Sequence, residues 1–377
     1  MRAKRKKPNK LARLRAERIA KSLQQQNILS RAKSMLPRFL VGLVVIVGLV
    51  GAFVLWRSPS VLQIAEEKVR FFQIATGSVG GTYFPVGKAI ASVISKPPGD
   101  VSCEKGGKCG VDGLIAIAKA APGSVANVRA VNSGTIDSAL AQADIVTWAY
   151  EGKGPFENED KFDNLRVIAS LYPEAVHLVV AKGSGIKTIE DLRGKRVSID
   201  RVGSGTRIDA LLILKAYGIS QKDIIAHSVD ASQASDLILT GELDAYFLIA
   251  GTPSLVVSDL AERSKIDLIA ITGSPAAKLK SENNYFVTNK IPAGTYKGLG
   301  EIETLSVQAL WITNVKTSRK LVQQILSALW RKENQKAFLK GHAKTKLITP
   351  QTALEGIAIP IHRGARDYYI KQGILKR

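Results

Sequence analysis

Residues 39–56, running Phe39-Leu-Val-Gly-Leu-Val-Val-Ile-Val-Gly-Leu-Val-Gly-Ala-Phe-Val-Leu-Trp56, are 18 consecutive uncharged positions. As a helix this stretch reaches about 27 Å, a membrane-spanning length. No polar stripe interrupts it, which argues against a helix buried in a bundle. Residues 1–38 hold 13 Lys and Arg against one acid, Glu17, and only Arg57 follows the stretch directly. That asymmetry places the N-terminus in the cytoplasm, with Trp56 where interfacial aromatics collect. A cleaved signal peptide competes, but its apolar region is shorter and ends in a small-x-small site, whereas Leu55-Trp-Arg-Ser-Pro-Ser follows here. The expected organisation is a basic cytoplasmic arm (1–38), a transmembrane anchor (39–56), a linker (57–69) and an exported domain.

The formal charge of +22 suggests a nucleic-acid partner until its distribution is read. The arm alone supplies +12, so the exported part is only mildly basic. A topogenic, lipid-facing role explains the arm, and nucleic acid is not expected. With 377 residues, 45% of them hydrophobic, the chain can build one large or two ordinary domains. Its two cysteines, Cys103 and Cys109, lie in a polar Gly-rich loop. In an oxidising compartment a disulfide closing that loop is the natural reading; free thiols or half a metal site are the alternatives.

From Val69 onward short β-rich runs alternate with helix-period stretches, the pattern of an α/β protein with parallel sheets. Strands are expected at 70–75, 165–170, 177–181, 196–199, 244–249 and 267–271, and helices near 84–95, 124–132, 206–217, 232–240 and 318–339. Two strand-to-helix junctions share one chemistry: Ala75-Thr-Gly-Ser-Val-Gly-Gly-Thr-Tyr-Phe-Pro85 and Asp200-Arg-Val-Gly-Ser-Gly-Thr-Arg207. Their glycines let a ligand approach the backbone. Free amides at a helix start, beside the hydroxyls of Ser78, Thr82, Ser204 or Thr206, suit an anion. A plain N-cap explains either junction taken singly.

Enzyme patterns do not fit. Gly81 to Lys88 has one residue too many for a phosphate loop, with Ala89 where a hydroxyl should hold magnesium. Neither junction is a dinucleotide fingerprint, and no Gly-x-Ser-x-Gly elbow occurs. His177 lies inside an apolar strand and reads as structural, and Asp191 and Asp244 read as caps or hinge partners. No catalytic set, no cofactor and no metal site are expected.

Further motifs follow in order: Thr76-Gly-Ser-Val-Gly-Gly-Thr-Tyr83, Gly123-Ser-Val-Ala-Asn127, Gln142-Ala-Asp144, Leu171-Tyr-Pro-Glu174, Asp191-Leu-Arg-Gly-Lys-Arg-Val197, Gly203-Ser-Gly-Thr-Arg207, Gly241-Glu-Leu-Asp-Ala245 and Gly251-Thr-Pro253. From about Arg70 to the C-terminus the chain resembles a TAXI-family solute receptor, the extracytoplasmic component of a TRAP transporter. The resemblance implies a two-lobed periplasmic binding protein fold of type II, preceded here by one transmembrane helix. Lobe 1 would comprise 70–175 and 272–377, and lobe 2 would comprise 176–271. It implies an interlobe cleft that binds a small organic anion or amino acid, and delivery of that solute to TRAP membrane subunits. The receptor would be held at the bacterial inner membrane by a single span, with its binding domain in the periplasm. The ligand-binding residues would be Thr76, Ser78, Gly81, Thr82, Tyr83, Asn127, Gln142, Tyr172, Gly203, Ser204, Gly205, Thr206 and Arg207. Tyr83 and Tyr172 would be walls, and Asn127 and Gln142 would contact the ligand or brace the lobe. The alternative is a tethered ectodomain that senses a ligand or holds a partner.

Overall fold

The computed structural model describes residues 69–376, together with Arg18, Lys21 and Ser22. The rest of the arm, the expected anchor and the linker up to Lys68 lie outside the described residues. Among the described residues no helix is long and apolar enough to cross a membrane. The chain divides into Met1–Glu67 and Lys68–Arg377, and the fold is that of the second unit.

The first stretch runs β1 (Arg70–Ala75), α1 (Tyr83–Ile94), β2 (Ser95–Lys96), β3 (Val111–Asp112), β4 (Leu114–Lys119), α2 (Ser124–Ser133), β5 (Ser138–Gln142) and α3 (Ala143–Glu151). The long strand β6 (Leu165–Ala181) then leads to β7 (Arg196–Ser198), α4 (Gly205–Ala216), β8 (Ile225–His227), α5 (Ala231–Thr240), β9 (Ala245–Ala250), α6 (Leu255–Glu262) and β10 (Ile266–Ile269). After α7 (Gly273–Glu282) and β11 (Val287–Ile291), β12 (Ile302–Asn314) returns the chain to α8 (Arg319–Leu329), α9 (Lys332–Gly341) and α10 (Arg363–Lys371).

All the strands join one 12-stranded sheet, ordered β3-β2-β4-β1-β5-β12-β6-β9-β7-β8, with β10 on β6 and β11 on β12. Parallel sets form its two wings: β1 with β4 and β5, and β7 with β8 and β9. Between them β6 and β12 run antiparallel from Leu165↔Asn314 to Ala175↔Ser306. Each wing is covered on both faces, as buried parallel strands require. Phe72 and Ile74 of β1 pack with α1, α8 and Phe338, while Ala75 turns to α2 and α3. Alternation continues in β6, where Val176, Leu178 and Val180 face α4 and α7, and Ala175 and Val179 face α5 and α6.

Three expectations change. The strands at 165–170 and 177–181 are one strand, continuous through Leu171-Tyr-Pro-Glu174. Pro173 is tolerated because it lies just short of the β9 ladder, which begins at Ala175↔Ala250. The helix expected at 318–339 is two, because Arg331 is extended at ψ 135°, and Trp330 stacks on Tyr368 and Tyr369. The segment 273–307, expected with lobe 1, packs into the second wing: Ala276, Leu279, Leu305 and Val307 share a core with Val176, and Ile291 and Tyr296 share one with Val179.

Cys103 and Cys109 form a disulfide with Cα atoms 4.7 Å apart. Asn334 of α9 holds the loop by donating to the Cys109 carbonyl at 3.2 Å. For so short a loop, chain-entropy arguments give about 2 kcal/mol. Cys103→Ser with Cys109→Ser is expected to lower stability by about that amount in urea titrations at unchanged m-value, leaving the rest of the fold intact.

Candidate functional site

Where the wings meet, a cavity of about 50 Å³ is lined from both sides. A single water needs about 10–15 Å³ on this measure, so the space suits a solute of a handful of heavy atoms. Three helices begin at its wall: α1 after Thr82, α2 after Gly123 and α4 after Ser204. Each presents amides that have no partner inside their own helix, and together they impose a positive field on one small volume.

Eight of the expected ligand residues line this cavity: Ser78, Gly81, Thr82, Tyr83, Gln142, Ser204, Gly205 and Thr206. Several of their hydroxyls are already committed. Ser204 caps α4 by accepting from Thr206 N at 3.1 Å and donates to Asp200 Oδ2 at 2.7 Å. Thr206 Oγ1 accepts from Ile249 N at 3.1 Å, and Thr82 Oγ1 donates to Gly251 O at 3.1 Å. Ser124 Oγ donates to Gln142 Oε1 at 3.3 Å and accepts from Gln142 N at 3.1 Å.

Thr76, Asn127, Tyr172, Gly203 and Arg207 do not line it. Asn127 braces the first wing, donating to Thr76 O and Leu140 O at 2.7 Å. Thr76 Oγ1 donates to Lys119 O at 2.7 Å, and Arg207 turns to Asp200 O and Ser228 Oγ. Tyr172 is buried within the first core, its hydroxyl without a hydrogen-bond partner among the described residues. Gly203, at φ +92°, accepts from Ala126 N across the seam at 3.0 Å.

The wings are in contact. Besides Ala126–Gly203 and Thr82–Gly251, Gln142 Nε2 donates to Asp209 of α4, and Lys344 Nζ donates to Thr252 Oγ1 at 3.2 Å. At Gly123 (φ +137°) an added Cβ would stand 3.0 Å from Ser204 Cα, so the backbones approach as only glycine permits.

The residues not singled out in the sequence are acids and one lysine. Glu174, 1% exposed, lines the cavity and accepts from Tyr83 Oη at 2.5 Å. Burial, reinforced by Asp144, raises its carboxyl to about 8 against the opposing effects of Tyr83 and Lys344. Burial also lifts Asp200 and depresses Lys344. Glu174 stands in the Tyr-Pro-Glu motif, and an acid inside an apolar crossing strand was its available signal. Lys344 has none, since it arrives from a short 3-10 helix (Ala343–Leu347) distant in the sequence.

His177 is structural. Its Nδ1 donates to Ala175 O at 2.9 Å, so Nε2 accepts from Tyr296 Oη at 2.8 Å, which in turn accepts from Ser254 N at 2.9 Å. Burial lowers it to about 4, leaving it neutral. Asp191 accepts from the amides of Lys187 and Thr188, and Asp244 pairs with Arg196 at 2.6 Å.

Among solved structures the chain is similar to the alkanesulfonate-binding protein SsuA of Xanthomonas axonopodis pv. citri bound to MOPS (15% identity, 82% of this chain and 96% of that one, TM-score 0.43). It is also similar to the periplasmic aliphatic sulphonate binding protein SsuA of Escherichia coli (14%, 82% and 94%, TM-score 0.41). PhnD1 of Prochlorococcus marinus (MIT 9301), in complex with methylphosphonate, matches at 11% identity over 81% of this chain and 99% of that one, TM-score 0.47. Residues 74–373 match the NMT1-like family over most of the described fold, and the chain belongs to that family.

Proposed function

We propose that the chain is a solute receptor of TAXI type, which captures a small organic anion or amino acid between its lobes and delivers it to TRAP membrane subunits. In this reading residues 39–56 anchor it in a bacterial inner membrane, with the binding domain in the periplasm. The observation that supports it most is the convergence of three helix N-termini on one interlobe cavity, a setting that favours a carboxylate. Amides of α1, α2 and α4 bind the anionic group, Ser78 and Tyr83 contact it, and Thr82, Ser204 and Thr206 hold the loops that aim those amides. An ammonium group on the same solute finds its acceptor in Glu174, which ionises as the cation arrives. Asn127, Thr76 and Gly203 support the wall, and Tyr172 and Arg207 stand behind it. Closure buries the solute and forms the surface that the membrane subunits recognise. No chemical step is involved.

A thermal-shift screen of the full chain in detergent, against amino acids and di- and keto-carboxylates, tests this reading. A concentration-dependent rise in Tm for one class supports it, because a solute bound only by the folded state stabilises that state by mass action. Folded protein, stripped of carried-over solute, that responds to none of these classes removes it. Ser204→Ala combined with Thr206→Ala is expected to weaken binding about tenfold or more. Losing a cap and the partner of Ile249 N costs roughly 2–3 kcal/mol, which urea titration reads separately.

A further inference from the structure

Asp144, in the first turn of α3, and Asp209, in the second turn of α4, meet from opposite wings, and both are 0% exposed. Gln142, the residue before α3, donates across the seam to Asp209, and each carboxyl group acts on the ionisation of the other. Yet both oxygens of Asp144 and Oδ1 of Asp209 receive no donor from the described residues. Only Gln142 Nε2 reaches the pair, on Asp209 Oδ2. Two bare carboxylates facing each other in a dry interior repel and lack hydration. One proton between them removes both difficulties, since the protonated acid becomes the donor that its neighbour lacks.

The proton has a preferred side. Burial raises Asp144, and the N-terminus of α3, on which it stands, opposes that rise. Asp209 is raised well above the ordinary range by burial and then by Asp144. Around the pair stand Glu174 of β6, which raises Asp209 further when ionised, and Tyr285 after α7, which senses Asp144. Lys344 acts on Glu174.

We propose that Asp144 and Asp209 form a proton-binding site that is complete only when the lobes meet, so that closure takes up one proton from solution. The proposal rests on the receptor reading only in requiring that the lobes part and meet. On opening, both carboxyl groups are hydrated, the O–H bond of Asp209 breaks, and the proton leaves to water. Above the ordinary carboxylate range and below the pH at which the closed pair ionises, the closed-to-open ratio therefore falls about tenfold per pH unit.

The test needs no solute. Nitroxide labels at Thr135→Cys in the first wing and Lys222→Cys in the second, both exposed positions, report lobe separation by pulsed EPR in the full chain in detergent micelles. Cys103 and Cys109 are disulfide-bonded and do not take label. The short-distance population is expected to shrink from pH 5.5 to pH 8.5. In Asp209→Asn, whose amide replaces the shared proton as donor to Asp144, it should persist across the range, while Asp267→Asn, at an exposed acid of β10, should keep the pH response. A distance distribution that does not move with pH, or one that still moves in Asp209→Asn, overturns the proposal. Recovery of the short distance at pH 8.5 by sodium but not potassium overturns it too, in favour of a metal cation. A failed solute screen leaves this readout intact, so the two readings fail separately.

Discussion

Gly205→Ala is expected to leave the protein folded and to weaken binding of the proposed solute by about a hundredfold or more, equivalent to about 2.7 kcal/mol. Gly205 opens α4 without needing a positive φ, so alanine is compatible with the backbone and favours the helix slightly. What it meets is the opposite lobe. Its Cβ would overlap Gln142 Oε1 and stand 2.7 Å from Gln142 Cδ and 3.0 Å from Ser124 Oγ. Gln142 is not free to swing aside, because it is buried and held by both Ser124 and Asp209. The methyl group therefore acts against the contact between the wings. Calorimetric titration with the solute found in the screen, beside urea unfolding without it, separates the two effects. Equal losses of stability and affinity would assign Gly205 to the fold instead of the seam.

Glu174→Gln removes a pH slope from stability. The folded-state carboxyl is raised to about 8, from 4.5 in the open chain. Between those values the unfolded chain loses a proton that the folded protein keeps, so folding weakens as pH rises, by roughly 1.4 kcal/mol per unit. The contribution is intact below about pH 4.5 and exhausted above about pH 8. Glutamine accepts the Tyr83 hydrogen bond and never ionises. Ligand-free Glu174→Gln should match the native chain near pH 5 and exceed it by several kcal/mol at pH 8 in urea titrations. Parallel stability curves for the two proteins would mean that Glu174 is already ionised at neutral pH. With an amine-bearing solute, the same substitution should lower affinity at every pH, since a neutral amide does not answer a cation.

The parts of this fold that were legible in the sequence are those governed by local pattern. The strand Arg70–Ala75 and the helices that begin near Tyr83, Ser124 and Gly205 follow from alternation and capping. Both glycine-rich junctions reach the cavity for the same reason: a helix start after a glycine turn leaves amides exposed wherever it falls. Tertiary relations were not legible. The strands expected at 165–170 and 177–181 join through Pro173, which the β9 ladder leaves free by beginning at Ala175. Ser204 and Thr206 read as ligand hydroxyls, and only the fold shows Asp200 and Ile249 engaging them. The acids at the seam were hidden differently. Asp209 sits in Ile208-Asp-Ala-Leu-Leu-Ile, where its burial depends on a lobe that the helix itself does not encode.

The paired crossing strands also bear on how the chain is born. The first wing is incomplete until β12 is made, because β5 pairs with β1 on one edge and with β12 on the other, and β12 comes more than 150 residues later. A chain emerging N-terminus first would hold the open edge of β5 bare while the whole second wing is delivered. An unpaired strand edge is a template for pairing with other chains. The chain's most vulnerable moment is thus the interval between the appearance of Gln142 and the arrival of Ala309, its partner in the sheet. A holdase that shields a nascent edge would be of most use during that interval.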